Sequence, residues 1–145
     1  MKALLQRVSS SKVEVEGKVV GQISKGLLVF IGIEKQDDMM SSDKMVKKIL
    51  SYRVFPDSDE KMNLSIRDIN GDLLIVSQFT LAADTKSGTR AGFSTAMPPI
   101  EAENLYNYFL EKTKSMNTIT ESGIFGADMK VSLLNDGPVT FLLEA

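Results

Sequence analysis

The chain has 145 residues, 43% of them hydrophobic, a formal charge of −2, and neither histidine nor cysteine. A chain of this length buries about 68–70% of its unfolded surface as a single domain and needs no disulfide or metal staple. The missing imidazole and thiolate exclude Ser-His and Cys-His nucleophiles, thiol redox chemistry and the commonest zinc-ligand sets, and the small negative charge argues against a protein that coats nucleic acid nonspecifically, while allowing a local basic patch that grips one end of it.

In chain order, Met1-Lys2-Ala3-Leu4-Leu5-Gln6-Arg7 carries charge too early for a secretory core, and no run approaches the roughly 18 apolar residues of a membrane span. The expected home is the cytoplasm, with which the absence of cysteine agrees. Ala3 to Val8 and Lys12 to Val15 read as strands, and the unbroken apolar run Gly26 to Ile33 as a strand buried on both faces. Ser41-Ser42-Asp43 opens a helix whose apolar positions Met45, Val46, Ile49 and Leu50 share one side, with Lys44, Lys47 and Lys48 facing outward. Asn70-Gly71 has the composition of a type I′ hairpin turn, so the strand Leu73 to Val76 is expected to pair antiparallel with Ile66 to Ile69.

That strand ends in Ser77-Gln78-Phe79-Thr80, a polar cassette delivered by a buried strand. With no histidine or cysteine, chemistry in this chain rests on hydroxyls, amides, carboxylates and backbone groups, which such a cassette supplies. The plainer alternative is that Ser77 and Thr80 only close the strand with local hydrogen bonds. The polar stretch Ala83 to Phe93, with Lys86 and Arg90, is longer than a tight connection needs, which favours a binding loop. Pro98-Pro99 presets a helix start, and Ala102, Leu105, Tyr106, Phe109, Leu110 and Thr113 then follow helical spacing without a miss. Finally, Met129 to Leu134 and Val139 to Leu143 read as strands around Asn135-Asp136-Gly137-Pro138, a set of turn residues. Together these make a mixed α/β chain, expected to form one domain over residues 1–145.

Ser77-Gln78-Phe79-Thr80-Leu81 and Asn135-Asp136-Gly137-Pro138-Val139-Thr140 resemble the two signatures of the D-aminoacyl-tRNA deacylases, enzymes that remove D-amino acids from mischarged tRNA. The likeness extends through Leu5-Gln6-Arg7-Val8, Gly26-Leu27-Leu28-Val29, Lys61-Met62-Asn63-Leu64 and Gly126-Ala127-Asp128-Met129. Either signature alone is weak; both, in order and at the right separation, are specific. The chain departs from the family at Arg90-Ala91-Gly92-Phe93, where Arg-Pro-Ser-Phe is usual.

The resemblance implies a β/β/α architecture, a homodimer, no cofactor or metal, and a cis Gly137-Pro138 bond that reaches into the neighbouring subunit's pocket. Only an X-Pro bond is cis at small cost, and cis geometry aims the carbonyls of Gly137 and Pro138 in nearly one direction, a receptor for an α-ammonium group. A substrate held there and at the cassette would point a D side chain outward and drive an L side chain into the Gly-Pro backbone. Exclusion by collision needs no affinity for each D side chain, and it admits glycyl-tRNA as well. Backbone N–H groups near Phe79 and Thr80 would meet the developing oxyanion, and Gln78 would orient the ester or the terminal adenosine. Thr80 lacks a histidine base, and the family answer is that the 2′-OH of the tRNA's terminal ribose assists while the protein positions. At the matched family position Arg7 braces the Gly-Pro loop, where a strand-end arginine is otherwise a solvated charge. Met129 fits the core or the pocket wall, and Phe79 either core or a platform for the terminal base. Two other readings use the same residues: a serine- or threonine-dependent hydrolase of a small ester, and a noncatalytic dimeric module that holds an amine.

Overall fold

In the computed structural model, which describes residues 1–145, the chain follows the order β1 (Lys2–Val15), β2 (Lys18–Ile23), β3 (Gly26–Gly32), α1 (Met39–Ser51), β4 (Phe55–Pro56), β5 (Met62–Leu64), β6 (Asp72–Ser77), a 3-10 turn (Phe79–Ala82), α2 (Pro99–Met116), β7 (Thr120–Ser122) and β8 (Lys130–Glu144). Six strands form one mixed sheet in the order β2-β1-β3-β6-β7, with β8 on the remaining edge of β1, while β4 and β5 make a separate two-stranded ribbon. No helix is long and apolar enough to cross a membrane.

Alternation along β3 and β6 explains the layering. Leu27, Val29 and Ile31 of β3, with Leu73 and Ile75 of β6, join Met45, Ile49, Leu105, Tyr106 and Phe109 in one core beneath the two helices. Leu28, Leu74 and Val76 point the other way and pack with Val8, Val13 and Ile23, where the outer half of β1 and its partner β2 cover the second face. Both strands are therefore buried on both sides, as a continuous apolar run requires. The result is the expected β/β/α arrangement.

Four local expectations are corrected. The two strands read at Ala3 to Val8 and Lys12 to Val15 are one, because β8 continues its ladder past the intervening serines, pairing Ser10 with Leu134 and Ser11 with Leu133; the Ser11 hydroxyl donates to the Ser132 carbonyl at 2.8 Å. Helix α1 starts at Met39, since Asp38 is the N-cap: its carboxylate accepts from the Ser41 N–H, and the Ser41 hydroxyl returns to the Asp38 N–H. Ser41-Ser42-Asp43 thus lies inside the first turn.

Asn70-Gly71 is not a hairpin. It ends a single helical turn, with Gly71 N–H on the Ile66 carbonyl, Asn70 N–H on the Arg67 carbonyl and Asn70 at φ 51°, the Schellman arrangement. Consequently β6 enters the sheet parallel to β3 and to β7. The two-residue turn with both φ angles positive occurs instead at Glu16-Gly17, which joins Val15 to Lys18.

The supposed terminal hairpin is likewise one strand. Residues 130–135 and 140–144 of β8 both run antiparallel to β1, but the pairing jumps from Gln6↔Thr140 to Val8↔Asn135. Residues 136–139 therefore loop out opposite Arg7 as a bulge. Turn residues do not reverse the chain here, because both flanks find the same partner strand.

Candidate functional site

β6 positions the cassette. Its last residue, Ser77, pairs with Ile31 of β3, and Gln78 N–H still donates to the Ile31 carbonyl at 2.7 Å before the chain leaves the sheet into the 3-10 turn. The first bond of that turn runs from Leu81 N–H to the Gln78 carbonyl, so the N–H groups of Phe79 and Thr80 precede it and have no acceptor within the turn. They are two adjacent backbone donors at the end of a rigid strand.

Beside them opens an apolar cavity of about 670 Å³. Ser77, Gln78 and Phe79 form one side, Met97, Pro98 and Pro99 at the start of α2 a second, and Phe125 to Met129 the facing wall. Phe79 is 63% exposed and stacks on exposed Phe93 with ring centroids 5.1 Å apart, which removes the core alternative for Phe79 and leaves an aromatic pair at the rim. Met129 lines the cavity and is half-buried.

Thr80 lies exposed just outside the cavity lining, and its hydroxyl meets the side-chain amide of Gln78 at 2.5 Å. An amide cannot take up a proton in either orientation. Asp84 faces elsewhere, accepting from the Lys86 N–H at 3.0 Å. Within the chain, the Thr80 hydroxyl is bonded to no carboxylate or amine that could serve as its base.

The second signature sits apart. The bulge carries a cis Gly137-Pro138 bond, with Gly137 at φ 143°, and Asp136, Gly137 and Pro138 are exposed. Four hydrogen bonds shape it. Arg7 Nε donates to the Asp136 carbonyl at 2.8 Å, while its Nη1 donates to the Val54 carbonyl at 2.7 Å. Asn135 spans the base of the bulge: its Oδ1 accepts from Val139 N–H at 2.8 Å and its Nδ2 donates to the Thr140 hydroxyl at 3.1 Å. Within one chain, Asn135 thus buttresses the tip.

Sheet register fixes the distance between the two signatures. Ser77 is level with Ile31 of β3, whereas the bulge lies opposite Arg7, which is level with Leu27. Three inter-strand steps of about 4.8 Å and four residues of rise at about 3.3 Å separate them by about 20 Å. The tip does not border its own chain's cavity.

The polar loop after the 3-10 turn is pinched by a reciprocal pair of backbone bonds between Asp84 and Gly92, at 2.8 and 2.9 Å, and it holds Lys86 and Arg90 in solvent. Gly92 uses both its N–H and its carbonyl there, so the loop closes without a proline before it. Among the cavity residues that the sequence pattern did not single out are Phe125, Ala96, Met97 and the Pro98-Pro99 pair, whose helix-starting role masked a second one. The only sequence signal for Phe125 was its place just ahead of Gly126-Ala127-Asp128-Met129.

The model of the family described as D-Tyr-tRNA(Tyr) deacylase matches residues 4–144. Relatives of the chain include proteins named D-aminoacyl-tRNA deacylase from Pseudomonas fluorescens (strain Pf0-1), 58% identical over 99% of both chains, and from Vibrio cholerae (serotype O1, strain M66-2), 58% identical over the whole of both. Among solved structures, the c-Myc DNA Unwinding Element Binding Protein is 40% identical with a TM-score of 0.96, covering 100% of this chain and 99% of that one. A probable eukaryotic D-amino acid tRNA deacylase, 17% identical, shares the fold with a TM-score of 0.87, covering 99% and 98%.

Proposed function

Because the chain belongs to the D-Tyr-tRNA(Tyr) deacylase family, we propose that it hydrolyses the ester of D-aminoacyl-tRNA, releasing D-amino acid and tRNA, at a site built from two copies of the chain. The observation that carries the two-chain reading is the separation of about 20 Å between cassette and tip on one sheet. No rearrangement short of unfolding joins them within a chain, whereas a second copy can bring its own Gly137-Pro138 tip to the open cavity.

In this reading the aminoacyl ester enters beside Ser77 and Gln78, and the terminal adenine lies on the Phe79–Phe93 pair, an exposed aromatic platform of the kind that takes an unstacked base. Water attacks the ester carbonyl. The free N–H groups of Phe79 and Thr80 receive the charge that develops on oxygen, an interaction stronger in the transition state than in the ground state. The 2′-OH of the terminal ribose assists proton transfer, and Thr80, held by the Gln78 amide, positions. The second copy's Gly137 and Pro138 backbone receives the α-ammonium and collides with an L side chain. Glycyl-tRNA, with nothing to collide, is a substrate too.

The direct test offers purified protein matched D- and L-tyrosyl-tRNA and follows ester loss, with rapid cleavage of D and little of L expected. Equal cleavage of both would remove chiral exclusion, and cleavage of neither would favour a binding module. An ester on the 3′-oxygen of a terminal 2′-deoxyadenosine should bind yet react at least 100-fold more slowly at saturation, roughly the lower reach of a proton-transfer contribution. Normal turnover of that substrate, or an aminoacyl ester trapped on Thr80, would install the protein nucleophile instead. For the two-chain site, subunits altered at the tip and subunits altered in the cassette should recover activity when mixed, since one intact site then forms per heterodimer.

A further inference from the structure

We propose that Tyr106, buried in α2 and outside the cavity lining, is a positioning residue that sets the separation between the cassette and the Phe125–Met129 wall. The inference deepens the reading of the site given above and rests on it.

Its basis is the way the two walls leave the sheet. Backbone groups of β6 alternate in direction: Leu73 N–H donates to the Ile119 carbonyl and the Ile75 carbonyl accepts from Gly123 N–H, both on the β7 side, whereas Gln78 N–H turns to β3. Ser77 therefore presents its backbone groups toward β7, but that pairing ends at Ile75↔Ser122. The Tyr106 hydroxyl occupies this vacated edge. It donates to the Ile75 carbonyl at 3.2 Å, and the Ser77 backbone is close enough to oppose, by hydrogen bonding, the rise in phenol pKa that burial causes.

The Ile75 carbonyl is thus shared by two donors, Gly123 N–H at 2.9 Å and Tyr106 O–H. Gly123 begins the segment that becomes the facing wall. The Tyr106 ring in turn packs on Phe125, at a centroid distance of 5.5 Å and 45° between planes. One side chain therefore bonds the last residue of β6 that pairs with β7, at the carbonyl where the first residue beyond β7 is also anchored, and packs on an aromatic of the far wall. Because Tyr106 is 1% exposed, it can touch no substrate; its effect must pass through the walls. A neutral phenol suits this, since it remains a donor throughout the working pH range.

The test is Tyr106→Phe, which keeps the ring and deletes the hydroxyl. At saturating D-tyrosyl-tRNA its kcat should fall about tenfold with KM changed less than about twofold, because a misaligned carbonyl binds but reacts slowly. Amide hydrogen exchange supplies a second readout: the Ser77 N–H should be protected in the unaltered protein and exchange at least about tenfold faster in Tyr106→Phe. Thr113→Ala serves as control, since it removes a buried hydroxyl bonded to the Phe109 carbonyl on the same helix without reaching β6, and its kcat should be unchanged. Wild-type kcat in Tyr106→Phe, an equal kcat loss in Thr113→Ala, or an unprotected Ser77 amide in the unaltered protein would each overturn the proposal. If the unaltered protein cleaves no D-aminoacyl-tRNA, the reading of the site fails, and Ser77 exchange alone then decides whether Tyr106 positions the cassette.

Discussion

Ser77 to Thr80 departs from a strand buried on both faces, flanked by β3 and by α2, and its backbone is bonded to Ile31 up to the last residue before the turn. Residues 136–139 depart from an edge strand paired only with β1; Val139 is anchored in the core, while the exposed residues 136–138 are held by the polar contacts of Arg7 and Asn135. Both are places where the sheet gives up chain to solvent. The first inherits its geometry from the core, so it cannot be disturbed without loss of stability. The second is a surface feature whose geometry rests on a few polar contacts, and it can be misaimed while the fold survives.

The sharpest way to break that symmetry is Gly137→Ala. A Cβ at φ 143° would lie 2.9 Å from Val139 N and 2.6 Å from its Cγ2, with Arg7 Nη2 at 3.1 Å. The tip must shift by the order of an ångström, enough to cost about 100-fold in kcat/KM on D-tyrosyl-tRNA, while the melting temperature moves less than about 3 °C. Calorimetry and ester-release kinetics on the same preparation check both halves.

Gly32→Ala is the counterpart beneath the cassette. Its Cβ would lie 2.6 Å from Leu81 Cβ and 3.1 Å from the Gln78 carbonyl, in a fully packed setting. Overpacking of this kind costs about 1–3 kcal/mol. Here activity and stability should fall together, by about tenfold and by several degrees, and a stable but inactive Gly32→Ala protein would erase the contrast drawn between the regions.

Arg7 tests how the tip is aimed. Its guanidinium reaches Asp136 and Val54 carbonyls at once, a fork that an ammonium cannot reproduce. Arg7→Lys should therefore lose activity nearly as far as Arg7→Ala, several-fold to tenfold, with an unfolding cost of about 1–2 kcal/mol for the alanine. Full activity in Arg7→Lys would mean that charge alone suffices. Asn135→Ala, which frees Val139 N–H at the base of the bulge, should cost about 1 kcal/mol and a few-fold in activity.

The smallest effect is one of pH. Asp57, in the β4–β5 ribbon beside the Arg7 anchor, has its pKa held below the ordinary carboxylate value chiefly by the Asn63 side chain and then by the Lys61 N–H. A lowered folded-state pKa contributes stability above the unfolded value, about 3.9, and loses it as pH falls through the folded value. Amide resonances of residues 57–63 should therefore shift below about pH 4, with those of β6 unmoved. A simultaneous change in β6 would show that the ribbon and the cassette are not independent.

What the sequence by itself determined was whatever depends on periodicity and on residue chemistry. The doubly buried β3 follows from an unbroken apolar run, α2 from helical spacing, and the exclusion of an imidazole or thiolate from any site in the chain from its lack of histidine and cysteine. The paired cassette and Asn135–Thr140 signatures identified the family. Tertiary structure alone decided partnership. Asn70-Gly71 and Asn135 to Pro138 carry the composition of hairpin turns, yet one caps a helical turn and the other bulges from a continuous strand, because a turn residue specifies allowed φ and ψ but not which strand waits on either side. The same holds for Tyr106, which reads as one more apolar helix position and acquires its contacts to Ile75 and Phe125 only when α2 packs across the end of β7. Nonlocal hydrogen bonding leaves no local pattern, so the residues it recruits become visible only once the chain has folded.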